Sequence, residues 1–171
     1  MDASRIDEEL NQWLRDAHAM EGQAEQMLSS QAGRIKNYPD LAAGIERHLE
    51  QTRSQRQRLE GCISRRGSST STIKDAAAKF TAMMQGLSGT VMGDEVAKGA
   101  MASYTFEHFE ISAYKMLVAA AREAGDTETA RVCEEICREE EAMAGWLSDM
   151  LPKIATSYLQ RSAHEMEEAK R

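Results

Sequence analysis

The 171-residue chain has few prolines, few aromatic residues and no long hydrophobic run. Its 2 prolines and 5% aromatic residues, beside many Ala, Glu, Gln, Met and Arg residues, favour helix throughout. No apolar run approaches the roughly 20 residues that span a bilayer, so we expect no membrane segment. Acidic residues at positions 7–9 come too early for the apolar region of a secretory signal. We therefore expect one helical domain in the cytoplasm.

Cysteine is scarce, and basic residues are outnumbered by acidic ones. The 3 cysteines, Cys62, Cys133 and Cys137, are an odd number without zinc-finger spacing. We interpret them as reduced thiols of a cytoplasmic protein. The formal net charge of −7 argues weakly against a nucleic-acid partner.

Apolar residues that recur every three to four positions predict four long helices, over residues 4–30, 39–65, 94–124 and 127–150. Pro39 suits the first position of the second helix, while Gly125 and Asp126 suit the end of the third and the N-cap of the fourth. A Ser/Thr-rich loop and a short helix over 72–86 form a crossover. The fourth helix is expected to end before Pro152, and 153–171 to be a helical tail. The predicted fold class is all-α, a single domain built as an up-down four-helix bundle.

Each predicted helix carries ionisable side chains at the centre of its inward stripe. They are Glu21, His48, Glu107, Glu110 and Glu140, in chain order. Counted from the two short turns, Glu21 and His48 lie at matching heights, and so do Glu110 and Glu140. A bare carboxylate in a core is costly unless it has a cation, a proton or a hydrogen-bonded partner. Oxygen-rich sites with one imidazole suit iron or manganese, so we predict such a metal site.

Simpler explanations exist for each of these residues taken alone. A single inward glutamate is more often paired with Lys or Arg, and a lone inward histidine is more often a hydrogen-bonded core residue. His18 lies close to Glu21 but off the centre of the stripe, where it could support a ligand. Tyr104 and Tyr114 could donate a hydrogen bond to a carboxylate, although core packing is the more ordinary role.

Four blocks of the sequence resemble the YciE/YciF family of bacterial ferritin-like stress-response proteins. The blocks are Leu14–Glu21, Arg47–Thr52, Phe106–Tyr114 and Glu139–Ala144. The resemblance covers residues 4–158 and implies a rubrerythrin-like, ferritin-like bundle with an extra crossover helix, often dimeric. It also implies a real or vestigial dinuclear carboxylate site. It implies no particular reaction, because the activity of the family is not established.

The chain departs from the wider di-iron pattern, in which each of two helices carries a Glu-x-x-His pair. The second helix has Thr52 and Gln55 where one pair would stand, with His48 one turn earlier. The fourth helix has Met143 in place of the histidine that would follow Glu140, and methionine is a poor ligand for hard iron. A single-metal site, or a metal-free bundle whose acids share protons, is therefore an alternative.

Two functions from different classes remain open. In the first, the chain is a stress-response protein in which Glu107 and Glu110 bridge or chelate the metal, Glu21 and Glu140 are terminal ligands and His48 gives the nitrogen. Oxygen or peroxide would be the substrate of a redox-active centre, and the redox partner is unknown because no rubredoxin-like cysteine pair is present. In the second, the bundle is a non-catalytic scaffold or dimerisation module with a vestigial metal site.

A homodimer is the oligomeric state that the resemblance implies. The crossover is rich in methionine, with Met83, Met84 and Met92 close together in the sequence. Soft apolar side chains adapt to partners, so this segment is one candidate for the interface. Packing of the same methionines against the bundle is the alternative.

Overall fold

The computed structural model of the protein describes residues 3–68 and 96–164. Within these ranges it contains four α-helices and no strand, which confirms the predicted all-α class. The helices are α1 (Ala3–Ala32), α2 (Pro39–Arg65), α3 (Val96–Glu123) and α4 (Thr127–Ala163). The predicted crossover helix over 72–86, its methionines and the last residues of the predicted tail lie outside the described residues. No helix in the described ranges is both long and apolar enough to cross a bilayer.

The local signals at the helix ends are found as predicted. Pro39 occupies the first turn of α2. Gly125, at the turn between α3 and α4, has a positive φ of 71° that disfavours residues with a side chain. The Asp126 side chain accepts a hydrogen bond of 2.9 Å from the backbone N–H of Thr129 and caps α4.

The helices pack as a bundle in which α1 contacts α2 and α3, and α4 contacts α3 and α2. At the end of α1, Gln31 donates to the Gly99 carbonyl and accepts from the Ser103 hydroxyl, near the start of α3. Helices α1 and α3 are therefore antiparallel, as α1 and α2 are. The order is up, down, down, up, because α3 begins at the end of the bundle where α1 ends and α2 begins. This is the arrangement of ferritin-like bundles with one crossover.

Two apolar clusters fill the core, one on each side of a polar layer. The first cluster includes Leu10, Leu14, Leu59 and Ile136. The second includes Leu28, Leu41, Ile45, Val96 and Leu147. Along each helix the change from one cluster to the other falls near the inward ionisable residue, so the polar layer is shielded above and below by apolar side chains.

Helix α4 continues through Pro152, whereas the sequence predicted a helix that ends at position 150 and a separate tail. Proline lacks a backbone N–H and crowds the preceding turn, so this continuation needs support from elsewhere. Ile154 supplies part of it, since only 2% of the residue is exposed. Arg161 supplies more, because it donates a 2.7 Å hydrogen bond to the Asn37 carbonyl and lies 4.9 Å from the centre of the Tyr38 ring. Contacts with the α1–α2 turn thus hold the extension as helix.

Candidate metal centre

The five side chains that the sequence places inward lie in the polar layer of the core. Glu21, His48, Glu107, Glu110 and Glu140 are each at most 1% exposed. All four helices contribute, and α3 contributes twice because positions 107 and 110 are one helical turn apart.

Four of the five are close enough to hold one ion between them. One ligand atom from each of His48, Glu107, Glu110 and Glu140 lies within 4.8 Å of the others. The Nε2 atom of His48 is 3.3 Å from a carboxylate oxygen of Glu107 and 3.3 Å from one of Glu140. Its Nδ1 atom is 3.4 Å from the side-chain oxygen of Gln51. The imidazole therefore presents Nε2 to the carboxylates and Nδ1 to the outer side of α2.

Glu21 lies beside this four-residue set and not within it. Its carboxylate accepts a hydrogen bond from the hydroxyl of Tyr114, a residue that is fully buried. Burial, and then the negative charge of Glu140, raise the pKa of Glu21 well above its usual range. Both alternatives for Tyr114 are observed, because its ring packs in the first apolar cluster and its hydroxyl donates to Glu21, which was predicted as a terminal ligand.

The other two flanking candidates point elsewhere. His18 is buried on the seam between α1 and α2, where its Nε2 lies 2.8 Å from a carboxylate oxygen of Glu60. Tyr104 packs edge-on against His108, with 4.6 Å between the ring centres. Neither side chain contacts a carboxylate of the metal-site candidates in the described contacts.

Several buried carboxylate oxygens have no hydrogen-bond partner among the described residues. They include both oxygens of Glu110, both oxygens of Glu140, and one oxygen each of Glu21 and Glu107. A buried polar atom without a partner costs about 1–3 kcal/mol, and more when it is charged. A cation placed among these oxygens would remove that cost. Three carboxylates with one imidazole are a donor set that iron and manganese accept, so the residues present fit such an ion.

The electrostatics of the cluster favour extra protons when no cation is bound. Burial lowers the pKa of His48, but Glu107 and Glu140 outweigh burial and raise it to about 11. Burial raises the pKa of Glu107 to about 7, although His48 opposes the shift. Burial, and then the charges of Glu21 and Glu140, raise the pKa of Glu110 well above its usual range. Without a cation the cluster therefore favours an imidazolium at His48 and a proton on Glu110 at a higher pH than usual, and a bound metal ion would displace such protons.

Comparison with known proteins agrees with the fold. Residues 5–160 match the family described as a domain of unknown function, DUF892. The chain belongs to this family. The resemblance to the YciE/YciF family that the sequence indicates is thereby confirmed.

Solved structures of three bacterial proteins share the bundle. A protein from Xanthomonas campestris is 39% identical, with a TM-score of 0.78, and the match covers 92% of this chain and 99% of that one. YcfI from Rhodopseudomonas palustris is 26% identical, with a TM-score of 0.67 over 84% of this chain and 92% of that one. The stress protein YciF from E. coli is 24% identical, with a TM-score of 0.65 over 85% and 94% of the two chains.

The positions at which this DUF892 chain departs from the di-iron pattern are also buried. Thr52 and Gln55 are at most 1% exposed, and Met143 packs in the second apolar cluster. Gln55 donates a 3.0 Å hydrogen bond to Glu139, which also pairs with Arg58. The two places where the di-iron pattern has a histidine are thus taken by a hydrogen-bonded amide and an apolar side chain. The donor set supports one ion better than two.

The sequence did not predict the role of Glu139, because its position at the margin of the inward stripe of α4 is typical of a solvated side chain. The structure gives it a half-buried position where it anchors Gln55. The available signal was Gln55 itself, because an inward amide in an apolar stripe requires a partner on the facing helix.

Proposed function

We propose that this DUF892 protein binds one iron or manganese ion between His48, Glu107, Glu110 and Glu140. The observation that carries the proposal is Glu110, a fully buried carboxyl group with neither oxygen hydrogen-bonded among the described residues. The other carboxylates have partial compensation from His48 or Tyr114, whereas Glu110 has none that the described residues provide.

Each side chain has a distinct role in this proposal. Glu107, Glu110 and Glu140 supply oxygen ligands and balance the charge of a divalent cation. His48 supplies Nε2 after it releases its proton, and Gln51 at Nδ1 orients the ring. Glu21 stays beside the site, where it could accept or return a proton through its hydrogen bond with Tyr114. The apolar clusters on both sides keep water from the layer. The metal, when bound, would supply Lewis-acid and redox chemistry.

Metal analysis tests the proposal. The protein is purified without chelator and reloaded anaerobically with ferrous iron or manganese, and its metal content and melting temperature are measured. The expected result is one ion per chain and a higher melting temperature. Glu107→Gln and Glu110→Gln should each lower metal retention at least tenfold and leave the helix content unchanged. Glu141→Gln is the matched control, because Glu141 adjoins Glu140 in sequence but pairs with Lys115 at the surface, 2.9 Å away. Absence of metal from the wild type after reloading would refute the proposal.

The alternative function is a metal-free scaffold. The observation in its favour is that His48 already compensates Glu107 and Glu140, at 3.3 Å each. In that case the buried carboxyl of Glu110 only destabilises the fold. Glu110→Gln should then raise the melting temperature, and the protein should never bind metal. The same two measurements therefore separate the two functions.

A stress-response role in the cytoplasm is proposed together with the metal site. Its supports are the family, the free state of all three cysteines and the fold shared with the E. coli stress protein YciF. If the centre is redox-active, oxygen or peroxide is the substrate that we propose. A strain lacking the gene should then survive peroxide poorly, and wild-type protein but not the Glu110→Gln variant should restore survival. Equal restoration by both would separate any stress role from the metal site.

A further inference from the structure

A groove of about 640 Å³ runs along the seam between α1 and α2. Side chains of both helices form its polar walls, among them His18, Glu25, Ser29, Arg53 and Arg56, together with Gly22. Gly22 directly follows Glu21 in the chain, and a side chain at position 22 would meet open space. The groove therefore passes the level of α1 at which Glu21 enters the core.

The core and the groove are close together around the circumference of both helices. At about 100° per residue, Gly22 lies about 100° from Glu21 on α1. On α2, Thr52 and Arg56 lie about 40° and 80° from His48. Thr52, one turn after His48, thus stands between the imidazole and the wall of the groove.

Buried polar atoms without a hydrogen-bond partner continue from the groove toward the metal site. They are Nδ1 of His18, Oγ1 of Thr52 and Oε2 of Glu21. Each of these three residues is at most 3% exposed. Apart from the four proposed ligands, every such atom among the described residues belongs to α1 or α2. Ordered water or another polar partner normally satisfies atoms of this kind. The apolar clusters thus shield the site above and below, whereas the seam between α1 and α2 is polar.

The arginines of the groove present no positive barrier to a cation. Glu25 accepts hydrogen bonds from Arg53 and Arg56, at 3.0 and 3.1 Å. Arg53 also pairs with Glu50. Carboxylates at the surface therefore compensate both guanidinium groups.

A second groove, of about 340 Å³, lies on the opposite seam, between α3 and α4. Its lining includes Ile111 and Ala144, which are buried and apolar. None of its described lining residues has an unpartnered buried polar atom. Passage between apolar side chains is costly for an ion, so this groove is the poorer entrance of the two.

We propose that the groove between α1 and α2 is the entrance for the divalent cation, with His18, Thr52 and Glu21 as the polar steps between the surface and the site. The inference rests on the proposed function, and it gives Glu21 the role of passing the ion inward. That role fits the place of Glu21 beside the four ligands and not among them. One of its oxygens accepts a hydrogen bond from Tyr114, and the other has no partner among the described residues.

The rate of manganese uptake tests the route. Divalent manganese is mixed with metal-free protein, the loss of the electron paramagnetic resonance signal of free manganese is followed with time, and the final manganese content is measured. Gly22→Leu fills the groove, and Thr52→Val removes the hydroxyl while keeping the shape of the side chain. Each should slow uptake about tenfold and leave the final content unchanged. Gly145→Leu is the matched control, because Gly145 lines the groove between α3 and α4 and also faces open space. It should take up manganese at the wild-type rate.

The results separate the route from the site. A wild-type uptake rate in either Gly22→Leu or Thr52→Val would overturn the route and leave the metal site in place. Slow uptake in Gly145→Leu alone would overturn it in favour of the groove between α3 and α4. Equal slowing in all three variants would contradict it as well, because the ion would then enter by a general opening of the bundle. A wild type that takes up no manganese would refute the metal site and the route with it.

Discussion

Glu110 and His48 set the electrostatics of the core at the scale of single residues. Each is almost completely buried, and each has a pKa above its usual value, one because of burial and the other because of two carboxylate neighbours that outweigh burial. A raised pKa means that the folded chain binds the proton more tightly than the unfolded chain. Through these two residues, both the stability of the fold and the affinity for a metal ion should depend on pH.

The metal-free protein should lose stability as the pH rises. Above the ordinary pKa of 4.5 for Glu110, the folded state holds a proton that the unfolded state has lost, so the free energy of unfolding falls until the raised pKa is reached. His48 acts in the same direction, since its stabilisation is complete below 6.5 and is lost as the pH approaches about 11. Urea unfolding in chelator at a series of pH values should show this fall. Glu110→Gln should reduce the slope by up to about 1.4 kcal/mol per pH unit, and Glu141→Gln should not.

Metal binding should release protons and strengthen with pH. His48 must lose its proton and Glu110 must be ionised before both can act as ligands, and the pKa of Glu107 is about 7. Each proton released makes the affinity rise about tenfold per pH unit. Calorimetric titration with manganese in buffers of different ionisation enthalpy measures the number of protons directly. A heat of binding that is the same in every buffer would show that no proton leaves and that the ligands are wrongly assigned.

At the scale of helices, the sequence predicted the helix ends that depend on neighbouring residues. It did not predict the continuation of α4, which depends on distant residues. The starts of α2 and α4 and the stop at Gly125 follow from proline, aspartate and glycine acting within one turn. The continuation of α4 past Pro152 depends on the burial of Ile154 and on Arg161, which contacts a turn more than a hundred residues earlier in the chain. No local pattern around the proline contains that information.

Replacing Pro152 by alanine should raise the free energy of unfolding by about 1–3 kcal/mol. Alanine restores the missing backbone hydrogen bond in a helix whose direction is already fixed by its contacts. Pro39→Ala is the matched control, because proline fits the first turn of α2 and its removal should give no gain. Chemical unfolding of the wild type, of Pro152→Ala and of Pro39→Ala measures these differences in the free energy of unfolding. A loss of stability in Pro152→Ala would contradict this account and would mean that α4 needs the proline at this position.

The contact between α2 and α4 should depend on Gly44. A Cβ atom there would overlap the ring of Trp146, which packs directly on the α2 backbone. Gly44→Ala should therefore lower the free energy of unfolding by about 1–3 kcal/mol through overpacking. Gly61→Ala lies on the same helix with open space around it and should instead stabilise by about 0.5–1 kcal/mol. If both substitutions stabilise, Trp146 moves aside freely and the contact is not tight.

For the whole molecule, helical periodicity was sufficient to place five ionisable residues in the core, and all five are there. Matching heights also predicted that they share one layer. Periodicity could not show that Glu21 would be engaged by Tyr114, or that Gln55 would bind Glu139. Those pairings depend on the rotation of each helix about its axis and on side-chain rotamers, which are set by packing across the bundle.

The most direct test of the metal centre is an anomalous difference map at the iron edge, from crystals soaked anaerobically in ferrous iron. One peak in contact with Nε2 of His48 and with oxygens of Glu107, Glu110 and Glu140 is the predicted result. Two peaks in the core would show a dinuclear site despite Gln55 and Met143. A core without a peak, in crystals whose surface acids do bind iron, would contradict the metal site and favour the scaffold.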